Sequence, residues 1–181
     1  GYSQRLPKDA GAVVVALCDA GANPWVCWSG SPDGVSPIAH GIYDKGQSSL
    51  IHYALAKSDA GMVQWLLDRP DCPSPQELEG WRVDGGLANF STLSRTPYTP
   101  NVNDLWAGLL HLAANSNKES AADMVARLLA AGMDPNALDS RGFTPLFFVR
   151  RLDVLNVLLE GGAVNPGPPL LQYWRHHLET A

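Results

Sequence analysis

The sequence predicts an all-α chain built from antiparallel helix pairs stacked side by side, and three observations carry that prediction. Four segments align with one another: Asp9–Pro24, Asp59–Pro70, Ala121–Asn136 and Asp153–Asn165. Each has apolar residues at helical spacing (Val125, Leu128 and Leu129; Leu155, Leu158 and Leu159), and three of the four stop at a glycine followed by small, turn-forming residues. Three of them are preceded by a second short helix, at 48–56, 108–114 and 144–149. Such short segments, apolar on most of their surface, are not stable alone in water and need neighbours on both sides. The joint Arg141–Val149 then shows how one unit passes to the next. A turn glycine, Gly142, is followed by Thr144 as an expected N-cap and Pro145 at the first helical position, and an apolar run follows directly.

Taken in order, the first unit has a helix over 9–20 but no recognisable leading helix, because residues 1–8 are too short and polar to supply one. Residues 25–47 form an insertion, within which Ser36-Pro37-Ile38-Ala39-His40 marks either an extra short helix or the first helix of the second unit; the extra helix is favoured, since Ser48 to Pro70 already has the length of a full helix pair. Residues 48–69 hold the second helix pair. Residues 71–104 form a second insertion: Ser74-Pro75-Gln76-Glu77 has the pattern of a capping box and starts a short helix near 75–82. Residues 84–104 have no helical period and read as a long loop where a turn between units belongs, a length usually connected with function or disorder. Residues 106–131 and 144–161 hold the last two pairs. Leu170, Leu171, Trp174 and Leu178 share one helical face, so 168–180 reads as a cap on the end of the stack. The whole chain, 1–181, is expected to be one domain.

The segment "AGMDPNALDSRGFTPLFF", residues 131–148, resembles the joint between two ankyrin repeats, Gly-x-Asp-x-Asn-x-x-Asp-x-x-Gly-x-Thr-Pro-Leu. "LLHLAA" at 109–114 and "LIHYAL" at 50–55 resemble the leading helix of that family with its Thr-Pro replaced. The resemblance covers about 9–24, 46–70 and 105–166. It implies an ankyrin-repeat solenoid with long inter-repeat insertions and a C-terminal capping helix. It further implies that turns project from one edge, that first helices line a concave side, and that His52 and His111 have a structural role, bonding neighbouring turns. Protein binding is the function it implies.

Bulk properties narrow the function classes. The chain has 181 residues, 45% of them hydrophobic, and a formal charge of −5, so it can bury a core and has no basic footprint for nucleic acid. No stretch is apolar for long enough to insert across a membrane. It begins with Gly1 and shows no signal peptide, which suggests a processed or trimmed chain and leaves the compartment open. Cys18, Cys27 and Cys72 have no metal-ligand spacing; they read as free or packed thiols, with one bridge involving Cys27 or Cys72 left open. No phosphate-loop, dinucleotide, zinc-hydrolase or nucleophile-elbow pattern occurs, and His176 and His177 are adjacent, pointing about 100° apart on a helix, so they read as solvated or partner-facing rather than metal ligands.

The expected function is therefore a non-catalytic module, with no cofactor, that binds a folded protein partner. Aromatic and Arg residues in the turns and insertions are the candidate contacts: Trp25, Trp28, Trp81, Arg82, Phe90, Tyr98, Arg141 and Phe143. A narrower form is a module that neutralises a toxin or enzyme, as a small bacterial immunity protein does. The alternative is a small hydrolase-like enzyme with a polar site in 33–44, formed by Asp33, Ser36, His40 and Asp44.

Overall fold

The structure, a computed structural model, describes residues 10–26, 49–80, 83–84, 106–139, 142–165 and 167. Among them the fold is helical. The first helix, α1 (Ala10–Asp19), ends in a glycine-centred cap. Gly21 has φ +99°, the Gly21 N–H reaches the Cys18 carbonyl (2.9 Å), and the Ala22 N–H reaches that of Leu17 (3.0 Å). The same two-bond cap closes α6 (Ala121–Ala130) at Gly132 and α7 (Leu152–Glu160) at Gly162, both with φ +94°. This cap requires a positive φ near +95°, which a side chain would strain and glycine adopts freely, so the three glycines expected from sequence to end helices do so for one reason.

Helices α2 (Leu50–Lys57) and α3 (Ala60–Leu67) are joined by two residues. Ser58 takes a left-handed conformation (φ 58°) and closes α2, while the Asp59 carboxylate accepts the Met62 N–H (3.0 Å) and opens α3. The chain thus reverses in the shortest span that satisfies both helix ends. The expected box at Ser74 is present. Glu77 Oε2 accepts the Ser74 N–H (2.8 Å) and Ser74 Oγ accepts that of Glu77 (3.3 Å), which starts α4 (Pro75–Gly80). Residues 81 and 82, assigned to this helix from sequence, lie outside the described residues.

Two further expectations are corrected. Residues 106–107, read as part of a helical unit, are extended: β1 (Val83–Asp84) pairs antiparallel with β2 (Trp106–Ala107) in the register Val83 to Ala107 and Asp84 to Trp106. The helix begins two residues later, at α5 (Leu109–Ala114). Thr144 does precede a helical turn, but Pro145–Phe148 is a 3₁₀ helix and the Thr144 hydroxyl does not cap it. The turn has only four residues before Val149 becomes extended (φ −60°, ψ 128°), so it closes with the Phe147 N–H on the Thr144 carbonyl (3.1 Å) rather than with α-helical bonds.

The Thr144 Oγ1 atom is buried with no hydrogen-bond partner. At the equivalent place in the second unit, Ser49 Oγ sits 3.0 Å from His52 Nδ1. Here Phe147 stands three residues on, where His52 would be, and its ring offers no acceptor. Thr144→Val is therefore expected to stabilise the fold by about 1 kcal/mol in urea unfolding, because it removes a desolvated hydroxyl and keeps the shape.

The helices form two layers. The 3₁₀ helix, α5 and α2 lie in one, with α5 touching both neighbours. Helices α3, α6 and α7 lie in the other, with α6 touching both of its neighbours. Across the layers α2 meets α3 and α5 meets α6. All six residues of α5 are consequently buried, including His111. Helix α1 approaches α3 where Gly11 leaves room for Met62, whose Cε lies 3.5 Å from the place a Cβ would take. The core runs through both layers, centred on Ile51, Leu55, Val63, Leu66, Leu109, Met124, Leu128, Leu146 and Leu158.

Candidate functional site

Two of the turns between units are fingers, segments whose two described ends are hydrogen-bonded to each other. The second finger is Asp139–Phe143. Its ends are tied by the Asp139 N–H on the Phe143 carbonyl and the Phe143 N–H on Asp139 Oδ1, both 2.9 Å, and the Gly142 N–H reaches the Asp139 carbonyl (3.0 Å). Phe143 stands directly before the cap Thr144. The first finger is the β1–β2 ladder, and Ala107 stands directly before the cap Gly108 in the same way. The two fingers therefore occupy the same place in successive units. They differ in what they carry: three residues, 140–142, separate the tied ends of one, whereas residues 85–105 join the strands of the other.

His111 holds the second finger from below. Its Nδ1 accepts the Gly108 N–H (3.3 Å), so the ring proton sits on Nε2, which donates to the Phe143 carbonyl (2.9 Å). The Phe143 ring stacks on Phe147 with centroids 4.6 Å apart, and the His111 ring meets Phe148 edge-on at 5.4 Å. The neighbouring turns are cross-tied along the edge. Glu79 Oε1 accepts the Asp134 N–H (2.6 Å), and the Asn136 side chain both donates to the Gly162 carbonyl (3.1 Å) and accepts the Val164 N–H (2.7 Å).

Where α1 and α3 end, Trp25, Trp65, Arg69 and Asp71 form an aromatic and charged cluster. The Arg69 guanidinium lies 4.9 Å over the Trp65 ring and makes two hydrogen bonds to Asp71 (2.8 and 3.1 Å). Arg69 holds the Asp71 carboxyl below the usual carboxylate range, and Trp25 contributes a smaller part of the shift. Trp25 is half-buried and packs against the core.

Of the contact residues expected from sequence, the structure describes Trp25, at the first turn, and Phe143, at the base of the second finger. Both are half-buried, so each contributes one face to packing. Trp28, Trp81, Arg82, Phe90, Tyr98 and Arg141 lie outside the described residues, as do Asp33, Ser36, His40 and Asp44 of the alternative reading, the predicted cap 168–180, and Cys27. Cys18 and Cys72 are free thiols, and burial pushes the Cys72 thiol up. Sequence reasoning missed the ladder, although the alignment of Trp106-Ala107-Gly108 with Gly142-Phe143-Thr144 held the signal. Among the described residues no group of three or more His, Cys, Asp or Glu side chains could hold a metal ion, and no helix is long and apolar enough to cross a membrane. No family model matches this chain, and no curated protein matches it.

The comparison of Ser49–His52 with Gly108–His111 gives a second testable point. Gly108 has an extended backbone (φ −84°, ψ 176°), and a Cβ there would lie 3.4 Å from His111 Nδ1. Gly108→Ser is expected to raise stability by about 0.5–1 kcal/mol in chemical denaturation, through a capping hydroxyl and a less flexible unfolded chain.

Proposed function

We propose that this chain is an ankyrin-type repeat stack, without chemistry of its own, that binds one folded protein partner through the edge bearing the two fingers. The segment between Asp84 and Trp106 is its principal contact. One observation carries this: two fingers stand at the same position in successive units, and one of them is enlarged from a three-residue tip to residues 85–105. In a stack of this kind the turns are free to vary while the helices keep the core, so a long segment mounted on a turn adds surface without disturbing the fold. The ladder ties both ends of that segment to the rigid stack, which lowers the entropy lost when it binds. A specific complex of ordinary size covers about 800 Å² on this side, more than one short turn provides. The narrower form, in which the bound partner is a toxin or enzyme that is neutralised, fits the net acidic charge and the broad surface.

The test keeps the ladder and replaces residues 85–105 by Asn-Gly, a pair suited to a two-residue hairpin. Each protein encoded next to this one is co-expressed with the wild type and with the variant. The expected result is a complex with one of them that weakens at least about a hundredfold in the variant, a loss of ~3 kcal/mol. Unchanged affinity would remove the segment from the interface.

A further inference from the structure

Helices of the second layer meet by one rule: a long side chain of one helix is set against a glycine of the next. Met62 on α3 packs at Gly11 on α1, and the Leu129 Cδ1 atom on α6 lies 2.6 Å from where a Cβ on Gly161, after α7, would stand. Gly11 and Met62 both stand at the start of their helices, and Leu129 and Gly161 both at the end, so these helices run parallel. The two end helices have a second side on which no described helix packs, and both of those sides are apolar. From Ala10 to Cys18, α1 has no charged residue, and none of Gly11–Asp19 is buried. Gly11, Val14, Val15 and Cys18 are half-buried on the side of α3. Ala12, Val13, Ala16 and Leu17 form the opposite side, with Val13 50% and Leu17 56% exposed. On α7, Leu152 lies nine residues before Gly161, half a turn round the helix, and so faces away from α6. It is 72% exposed, and half-buried Leu155 and Leu159, 44% exposed, complete a stripe at helical spacing.

A helical array that ends in water needs polar outer faces at its ends, and exposed apolar patches mark contact sites. We propose that these two ends are the halves of one interface between copies of this chain: the Leu152–Leu159 stripe of one copy docks head to tail on the Ala12–Leu17 side of the next. The pairing continues the contact that recurs inside the layer, with leucines set against alanines as Leu129 is set against Gly161. The two surfaces differ, so the contact does not close on itself and gives open chains rather than pairs. Each copy offers one short helix face, less than the roughly 800 Å² per side of a stable complex. Asp19 and Glu160, both exposed where the two parallel helices end, also repel each other. Association is therefore weak, with a Kd of about 0.1 mM, and tightens when salt screens the two carboxylates. The end faces lie apart from the edge that bears the fingers, so this contact and the binding reading above stand or fall separately.

Sedimentation velocity of the 181-residue chain from roughly 10 to 500 µM provides the test. The average mass is expected to rise with concentration and not to level off at twice the monomer. Leu17→Glu blocks one end and Leu159→Glu the other, and both positions are exposed, so neither change enters the core. Each variant alone is expected to stay monomeric. An equimolar mixture is expected to form a one-to-one pair and stop there, because each variant supplies the end that the other lacks. Recovery in the mixture also shows that both variants are folded. A wild type that stays monomeric throughout, as it would if the expected cap 168–180 covered α7, overturns the proposal. So does a variant that still dimerises alone, the mark of like ends meeting, or a mixture that does not recover.

Discussion

Leu128→Ala is expected to lower the free energy of unfolding by about 3–4 kcal/mol, among the largest effects of any single substitution in the chain. The side chain has no exposed surface and lies on α6, the helix that touches α3, α5 and α7 at once. Truncation removes the transfer free energy of the side chain and leaves a cavity that three surrounding helices, tied through their own caps, cannot collapse to fill. Leu129, the next residue, is half-buried against the core. Leu129→Ala is expected to cost about half as much or less, because solvent fills part of the space. Urea unfolding of the two variants side by side measures the contrast. Similar costs at the two positions would mean that α6 is not enclosed from three sides.

His111→Ala is expected to cost about 2–3 kcal/mol, although the residue it removes is polar. The Gly108 N–H loses its acceptor in a part-buried setting, and the edge contact with Phe148 becomes a void. The Phe143 carbonyl keeps its bond from the Asp139 N–H, so it is not orphaned, and this limits the loss. The substitution should also be felt at a distance in sequence. Amide exchange in 139–143 should quicken more than exchange in α7, since the ring reaches the finger directly. Denaturation together with exchange would check this, and a cost below about 1 kcal/mol would show that the imidazole merely fills space.

Much of the helical frame was legible in the sequence because each helix announces its own ends. Gly21, Gly132 and Gly162 stop their helices for a reason of local backbone geometry, and Ser74 with Glu77 opens one through local hydrogen bonds. Such signals survive any tertiary context. What failed depended on partners elsewhere. Thr144 has the identity of a cap, but whether its hydroxyl is used depends on residue 147, which is Phe where two other units have His. The β1–β2 ladder has two residues on each strand, too few to show an alternating pattern, and its partners are separated by residues 85–105. Its effect on the candidate site is large nonetheless, since it turns an apparent loop into a finger with a fixed base. Trp25 reads from the sequence only as one of the aromatic residues in or beside the turns and insertions; its half-burial against the core and its part in holding Asp71 needed coordinates. The aligned positions of Ala107 and Phe143 were visible throughout and only gained meaning once both were seen to begin a unit.

The two-layer stack, in which each pair shields the next, is tested most directly by methyl contacts between helices of one layer. Val63 and Leu66 on α3, Val125 and Leu128 on α6, and Val154 and Leu158 on α7 are all fully buried. A methyl nuclear Overhauser spectrum is expected to connect α6 to both α3 and α7 and to show no direct cross-peaks between α3 and α7. Strong α3–α7 cross-peaks would describe helices closed around a common centre, and would contradict a side-by-side array with a free edge for recognition.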